Sequence, residues 1–226
     1  MKKLCTGILI GGILLCLCSL CKADTECHGQ QILKSRNCMG DGLESEESKL
    51  YQLVNQYRVR NKLPQIPLSK SLTLVANRHA RDLAENIGYL THGWSDCPYD
   101  PNDSNTWHCM WNAPQRLRTA YPGRGYENGY GSPQGNVTAV SALESWKKSN
   151  LHNAVILNQG IWRNNRWKAL GVGIYKGFCM LWFGEETEPT GASDIHGISQ
   201  YPIPHTHTHS PPVFKPKNCF IDMVSE

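Results

Sequence analysis

The sequence has one long apolar run, at its N-terminus, and no second; a multi-span membrane protein is excluded. It has no internal repeat. It contains no Gly-x-Ser-x-Gly and no His-Glu-x-x-His, so neither a hydrolase nucleophile elbow nor a standard zincin motif is present. Beyond residue 23 there is no Cys-x-x-Cys pair, which argues against a cysteine zinc site. Charge of one sign is scarce too. Lys and Arg number 23 against 19 Asp and Glu, and Lys2, Lys3 and Lys22 belong to the N-terminal run. Without them the balance is 20 to 19, which argues against nucleic acid or an anionic membrane as the main partner. With 40% apolar and 19% charged residues, the rest of the chain has the composition of a folded core, not of a disordered or collagen-like protein.

The run itself reads as a secretory signal over residues 1–23. Lys2 and Lys3 precede the apolar stretch Leu4–Cys21, and Cys21-Lys22-Ala23 places small residues first and third before a cut after Ala23. The expected mature chain starts at Asp24, is exported and has no stable membrane insertion. Six cysteines then remain: Cys27, Cys38, Cys97, Cys109, Cys179 and Cys219. An even number in an exported chain reads as disulfides. Six cysteines allow 15 connectivities. Cys97–Cys109, flanking a Pro/Asn/Asp loop, is the best candidate; Cys27–Cys38 would close a small N-terminal loop, and Cys179–Cys219 would tie the tail to the body. Asn102 and Asn136 begin Asn-x-Ser/Thr glycosylation acceptors.

Four segments follow from the pattern: the signal, a disulfide-closed lead-in over 24–44, a folded domain over 45–184, and a Pro- and His-containing tail over 185–226. Ser45 is placed to cap a first helix carrying Leu50, Leu53, Val54 and Tyr57. Leu72, Val75, Ala76, His79, Ala80, Leu83 and Ile87 form one continuous helical face, stopped by Gly88. A third helix over 138–148 places Glu144 and Lys148 as an i,i+4 pair. The stretch 121–134 reads as turns and strand edges. Ala169–Tyr175 and Phe178–Phe183 read as a hairpin about Lys176-Gly177. Helices first and strands late give an α+β layered domain.

Three polar residues are explained by neither periodicity nor capping: His92, Glu127 between glycines, and His152. Two imidazoles and a carboxylate have the composition of an open zinc site, and equally of a general acid–base pair. His79, on an apolar stripe, reads as a satisfied core histidine. His205, His207 and His209 alternate along an extended, Pro-flanked tail, where three imidazoles can chelate zinc, copper or nickel. Trp162-Arg-Asn-Asn-Arg-Trp-Lys168 alternates aromatic and basic residues and reads as a solvated loop.

Leu53-Val-Asn-Gln-Tyr-Arg58, Leu72-Thr-Leu-Val-Ala-Asn-Arg-His-Ala80, Thr91-His92, Tyr126-Glu-Asn128, Trp146 to His152-Asn-Ala-Val-Ile-Leu157, and the pair Gly171-Val-Gly173 and Trp182-Phe-Gly184 occur in one order. In that order they resemble the CAP superfamily of cysteine-rich secretory, antigen 5 and pathogenesis-related proteins, in its short bacterial-type form with an SCP-like domain. The resemblance implies a three-layer α-β-α sandwich with a central antiparallel sheet and a cleft. It places His92, Glu127 and His152 in that cleft as ligands for Zn(2+) or another divalent cation, and assigns no catalytic residue. The family's second acid follows the helix Trp; here Lys147 and Lys148 stand there, which leaves a three-residue site. The implied role is extracellular binding of a lipid or sterol, protein or glycan ligand, rather than catalysis. The alternatives are a metal-dependent extracellular hydrolase and a carbohydrate- or matrix-binding module using the aromatic stretch 93–130.

Overall fold

The computed structural model describes residues 25–132 and 135–190. The signal reading, the histidines at 205, 207 and 209, and Cys219 lie outside the described residues.

Helix α1 (Gln31–Lys34) is a single turn in the lead-in, which the Cys27–Cys38 disulfide closes. Helix α2 (Ser45–Arg60) begins one residue later than its cap: Glu44, not Ser45, is the N-cap, in a capping box with Glu47. A carboxylate there satisfies first-turn N–H groups and meets the positive helix end. Helix α3 (Lys70–Asp82) is capped by Ser69, which accepts from the Leu72 amide. It loosens into a π-turn over Leu83–Ile87, ended by Gly88 at φ 86°. Short helices α4 (His108–Trp111) and α5 (Ala113–Arg116) follow a loop. Strand β1 (Tyr126–Gly131) precedes α6 (Ala139–Lys148) and α7 (Asn150–Ile156), and β2 (Ala169–Tyr175) and β3 (Phe178–Gly184) form the hairpin. Glu144 pairs with Lys147, three residues on, where spacing pointed to Lys148.

The sheet order is β1-β3-β2, antiparallel throughout, with β1 on one edge. Side chains alternate across a strand, so each strand feeds two cores. Leu170, Val172, Leu181 and Phe183 meet Leu50 and Val54 of α2, Trp146 of α6 and Ile156 of α7. Ala169, Met180 and Trp182 meet Leu72, Val75, Ala76 and Ala80 of α3. Helices thus cover both faces, giving the α-β-α sandwich. Gly171 and Gly173 let α3 lie directly on β2: a Cβ at Gly171 would stand 2.2 Å from the Leu72 carbonyl carbon, and one at Gly173 2.3 Å from that of Ala76. That closeness is why α3 is buried along most of its length.

Buried Arg78 of α3 binds the Asp41 carboxylate and the Ile32 carbonyl, which docks the disulfide-closed lead-in onto α3. At the other end, Glu188 bonds the hydroxyl of Ser69 and accepts from the Ser71 amide at 2.9 Å, a second cap on α3 supplied by the chain after β3. Trp162 and Trp167 are 8% and 6% exposed and belong to the core, so the aromatic half of the 162–168 pattern is not a solvated loop. Four aromatics converge there, Tyr126 with Trp162, Trp167 and Phe183, and rings of that size are drawn into the core by the apolar surface they bury. The Cys179 thiol is wholly buried, its pKa pushed well up by burial, and has no disulfide partner among the described residues.

Candidate functional site

Alternation along β1 sends neighbouring residues to different layers. Glu127 meets α3, while Asn128 donates to the carbonyl of His152 on α7 at 3.0 Å. His92 comes from the loop after α3. Its Nδ1 lies 2.7 Å from Glu127 Oε1. The other carboxylate oxygen, Oε2, lies 2.5 Å from Nδ1 of His79, and Nε2 of His79 lies 2.9 Å from the Gly93 carbonyl oxygen. His79 is 0% exposed, His92 3% and Glu127 4%, so all three sit out of bulk water.

The partners fix the protons. A carboxylate and a carbonyl only accept, so both His79 nitrogens donate and His79 is an imidazolium. His92 likewise donates from Nδ1, and in its neutral form Nε2 is the basic nitrogen. Burial alone would disfavour charge on His79; the Glu127 charge, the hydrogen bond from Nδ1 and the Gly93 carbonyl raise its pKa. Burial works against the Glu127 carboxylate as well, but His79 and His92 together lower it to about 2. The His79 ring stacks on Trp94 at 4.3 Å between centroids, 23° from parallel, which places an electron-rich face over the cation. His79 therefore clamps Glu127 on one side and the backbone next to His92 on the other.

His152 is 5% exposed in the first turn of α7. Its Nδ1 lies 2.8 Å from the Ser149 hydroxyl, the same hydroxyl that caps the helix by accepting from the His152 amide. The structure thus brings His92 and Glu127 into contact, and ties the backbone of His152 to the residue after Glu127. The residue that pattern reading missed is His79. Its place on the apolar stripe is correct, but its partners come from β1 and the loop, and helical period carries no sign of them.

A separate His/Cys group also forms. Ligand atoms of Cys97, His108 and Cys109 lie within 4.8 Å of one another, with both sulfurs in the Cys97–Cys109 disulfide. Asn102 and Asn136 are both exposed.

The model of the cysteine-rich secretory protein family, CAP, matches residues 51–177, more than half of the chain. The chain belongs to the CAP family. Among solved structures, an extracellular protein with an SCP domain from Bacillus anthracis is 22% identical, with a TM-score of 0.49, over 62% of this chain and 40% of that one. A cysteine-rich secretory protein from Staphylococcus aureus is 15% identical, with a TM-score of 0.45, over 62% of this chain and 38% of that one. An outer surface protein from Borrelia burgdorferi is 15% identical, with a TM-score of 0.47, over 65% and 96%. The CAP chain thus spans about two fifths of the length of the first two. No curated protein matches it. No described helix is long and apolar enough to cross a membrane.

Proposed function

We propose that this CAP domain acts outside the cell by binding, and that His92 and His152 are the imidazole ligands of a divalent cation such as zinc. The supporting observation is the contact of His92 Nδ1 with Glu127 at 2.7 Å. A carboxylate behind an imidazole fixes its tautomer and raises the basicity of the far nitrogen, the arrangement found behind metal-ligating histidines. Both oxygens of Glu127 already face imidazole nitrogens, and its side chain is 0% exposed, so Glu127 serves from behind His92 rather than as a ligand itself. Zinc accepts two imidazoles and completes its shell with water or with an oxygen of the bound molecule.

With only two protein ligands, affinity is modest, on the order of micromolar or about 8 kcal/mol. Protons compete with the metal for the imidazole nitrogens, so binding weakens on acidification. The test is calorimetric titration with zinc. The tail histidines would mimic the signal, and cutting the chain at Gly184 would remove Glu188 from the start of α3, so the background is the full chain with His205, His207 and His209 changed to Ala. In it, His92→Ala and His152→Ala each abolish binding, and Glu144→Ala leaves it unchanged. Binding that survives both histidine changes refutes the site.

A further inference from the structure

We propose that the Cys97–Cys109 disulfide is a latent zinc site. On reduction by a dithiol, the two cysteine thiolates and Nε2 of His108 take up one zinc ion. The sulfur and nitrogen atoms already stand near coordination geometry. His108 Nε2 lies 3.7 Å from Cys109 Sγ and 3.9 Å from Cys97 Sγ. Tetrahedral zinc with ordinary Zn–S and Zn–N bonds sets nitrogen and sulfur about 3.5 Å apart. The two sulfurs need only part to about 3.8 Å, the separation of two thiolates on one zinc.

The imidazole is oriented for this. Nδ1 of His108 lies 2.7 Å from the Asn105 carbonyl oxygen, which accepts its proton and leaves Nε2, facing both sulfurs, as the ligand nitrogen. The backbone on either side is held without help from the sulfur–sulfur bond. Cys97 is locked in a two-way backbone bridge with Trp94, at 2.8 Å and 3.0 Å. Arg116 donates to the Cys109 carbonyl at 3.1 Å and pairs with Asp96, the residue before Cys97. Arg116 therefore keeps both cysteine-bearing segments together after reduction, so the thiols stay side by side. His108 is exposed and Cys97 half-buried, which gives both reductant and metal a path.

The steps balance. A dithiol attacks one sulfur, the protein disulfide breaks, and the reductant leaves as its own disulfide, with two protein thiols formed. Zinc then displaces the two thiol protons to solvent and bonds both thiolates and His108, with water as the fourth ligand. The set of two Cys and one His has one open position, as in a reactive rather than a purely structural zinc centre.

The experiment uses the full chain, reduced with a phosphine that ligates metals poorly, and cobalt(II) alone as the probe. Reduced protein is expected to develop a near-ultraviolet sulfur-to-cobalt charge-transfer band that saturates at one equivalent. Oxidised protein shows no such band, because histidine sites give none and the Cys179 thiol is wholly buried. Cys97→Ser abolishes it, Cys27→Ser keeps it, and His108→Ala, an exposed change that leaves the fold alone, weakens binding more than about tenfold. The proposal is overturned by any of three results: no band in reduced protein, an undiminished band in Cys97→Ser, or unchanged affinity in His108→Ala. None of these outcomes depends on His92 or His152.

Discussion

Replacing Glu127 tests the electrostatic reading of the site most directly. In the wild type its carboxylate sits between His79 at 2.5 Å and His92 at 2.7 Å, with no solvent exposure of its side chain. In Glu127→Ala the His79 imidazolium loses its counter-charge while Nε2 still donates to Gly93. Removing one partner of a buried ion pair costs about 3–5 kcal/mol, because the other charge is left uncompensated. At about 2–4 °C per kcal/mol for a chain of this size, the melting temperature falls by roughly 6–20 °C. Glu127→Gln should cost less, about 1–3 kcal/mol. The amide oxygen can accept from His92, and the amide N–H can donate to a neutral His79 whose Nε2–H keeps Gly93. The pH dependence follows from the two shifts. The folded-state pKa of His79 is raised above 6.5, so its contribution is complete below 6.5 and is lost as pH rises through the folded value. That of Glu127 is lowered from 4.5 to about 2, so its contribution is present above 4.5 and is lost as pH falls toward 2. The stability gap between wild type and Glu127→Gln should therefore be widest between pH 4.5 and 6.5 and narrow on both sides. Urea denaturation at pH values below, within and above that range, followed by tryptophan fluorescence, measures it. A gap below about 1 kcal/mol for Glu127→Ala, or one that widens steadily above pH 7, refutes a buried His79–Glu127 ion pair.

Gly173→Ala should destabilise by more than about 3 kcal/mol, beyond ordinary overpacking, because the new Cβ meets α3 backbone that cannot move without shifting the helix; urea midpoints check this. Glu188→Ala should lower stability by about 1–3 kcal/mol at neutral pH, since Ser71 loses a buried acceptor at the start of α3. Surrounding hydroxyl and amide donors lower the Glu188 pKa against its burial, so that difference should fade as pH drops below 4.5, and a thermal-melt comparison at two pH values measures it.

Much of this protein was settled by the sequence itself. Period and punctuation place α3, because an amphipathic stripe followed by Gly88 has one folded solution, and they place the β2–β3 hairpin around Lys176-Gly177. The lead-in and loop disulfides, Cys27–Cys38 and Cys97–Cys109, are short-range closures that spacing can indicate. His92 and Glu127 were legible as residues that no helix or turn requires. Tertiary structure decided the rest. The identity of the α2 cap turned on the reciprocal bond between Glu44 and Glu47, which a list of good capping residues does not rank. Glu188 became a cap for α3 only when β3 brought it beside Ser69, 119 positions earlier. His79 is the clearest case. Its stripe position determined that it would be buried, and burial is all that a helical period reports. Whether a buried imidazole is neutral filler or a fixed cation depends on the groups facing its two nitrogens. Those groups, Glu127 and Gly93, come 48 and 14 residues later and meet it only across the packed sheet and loop.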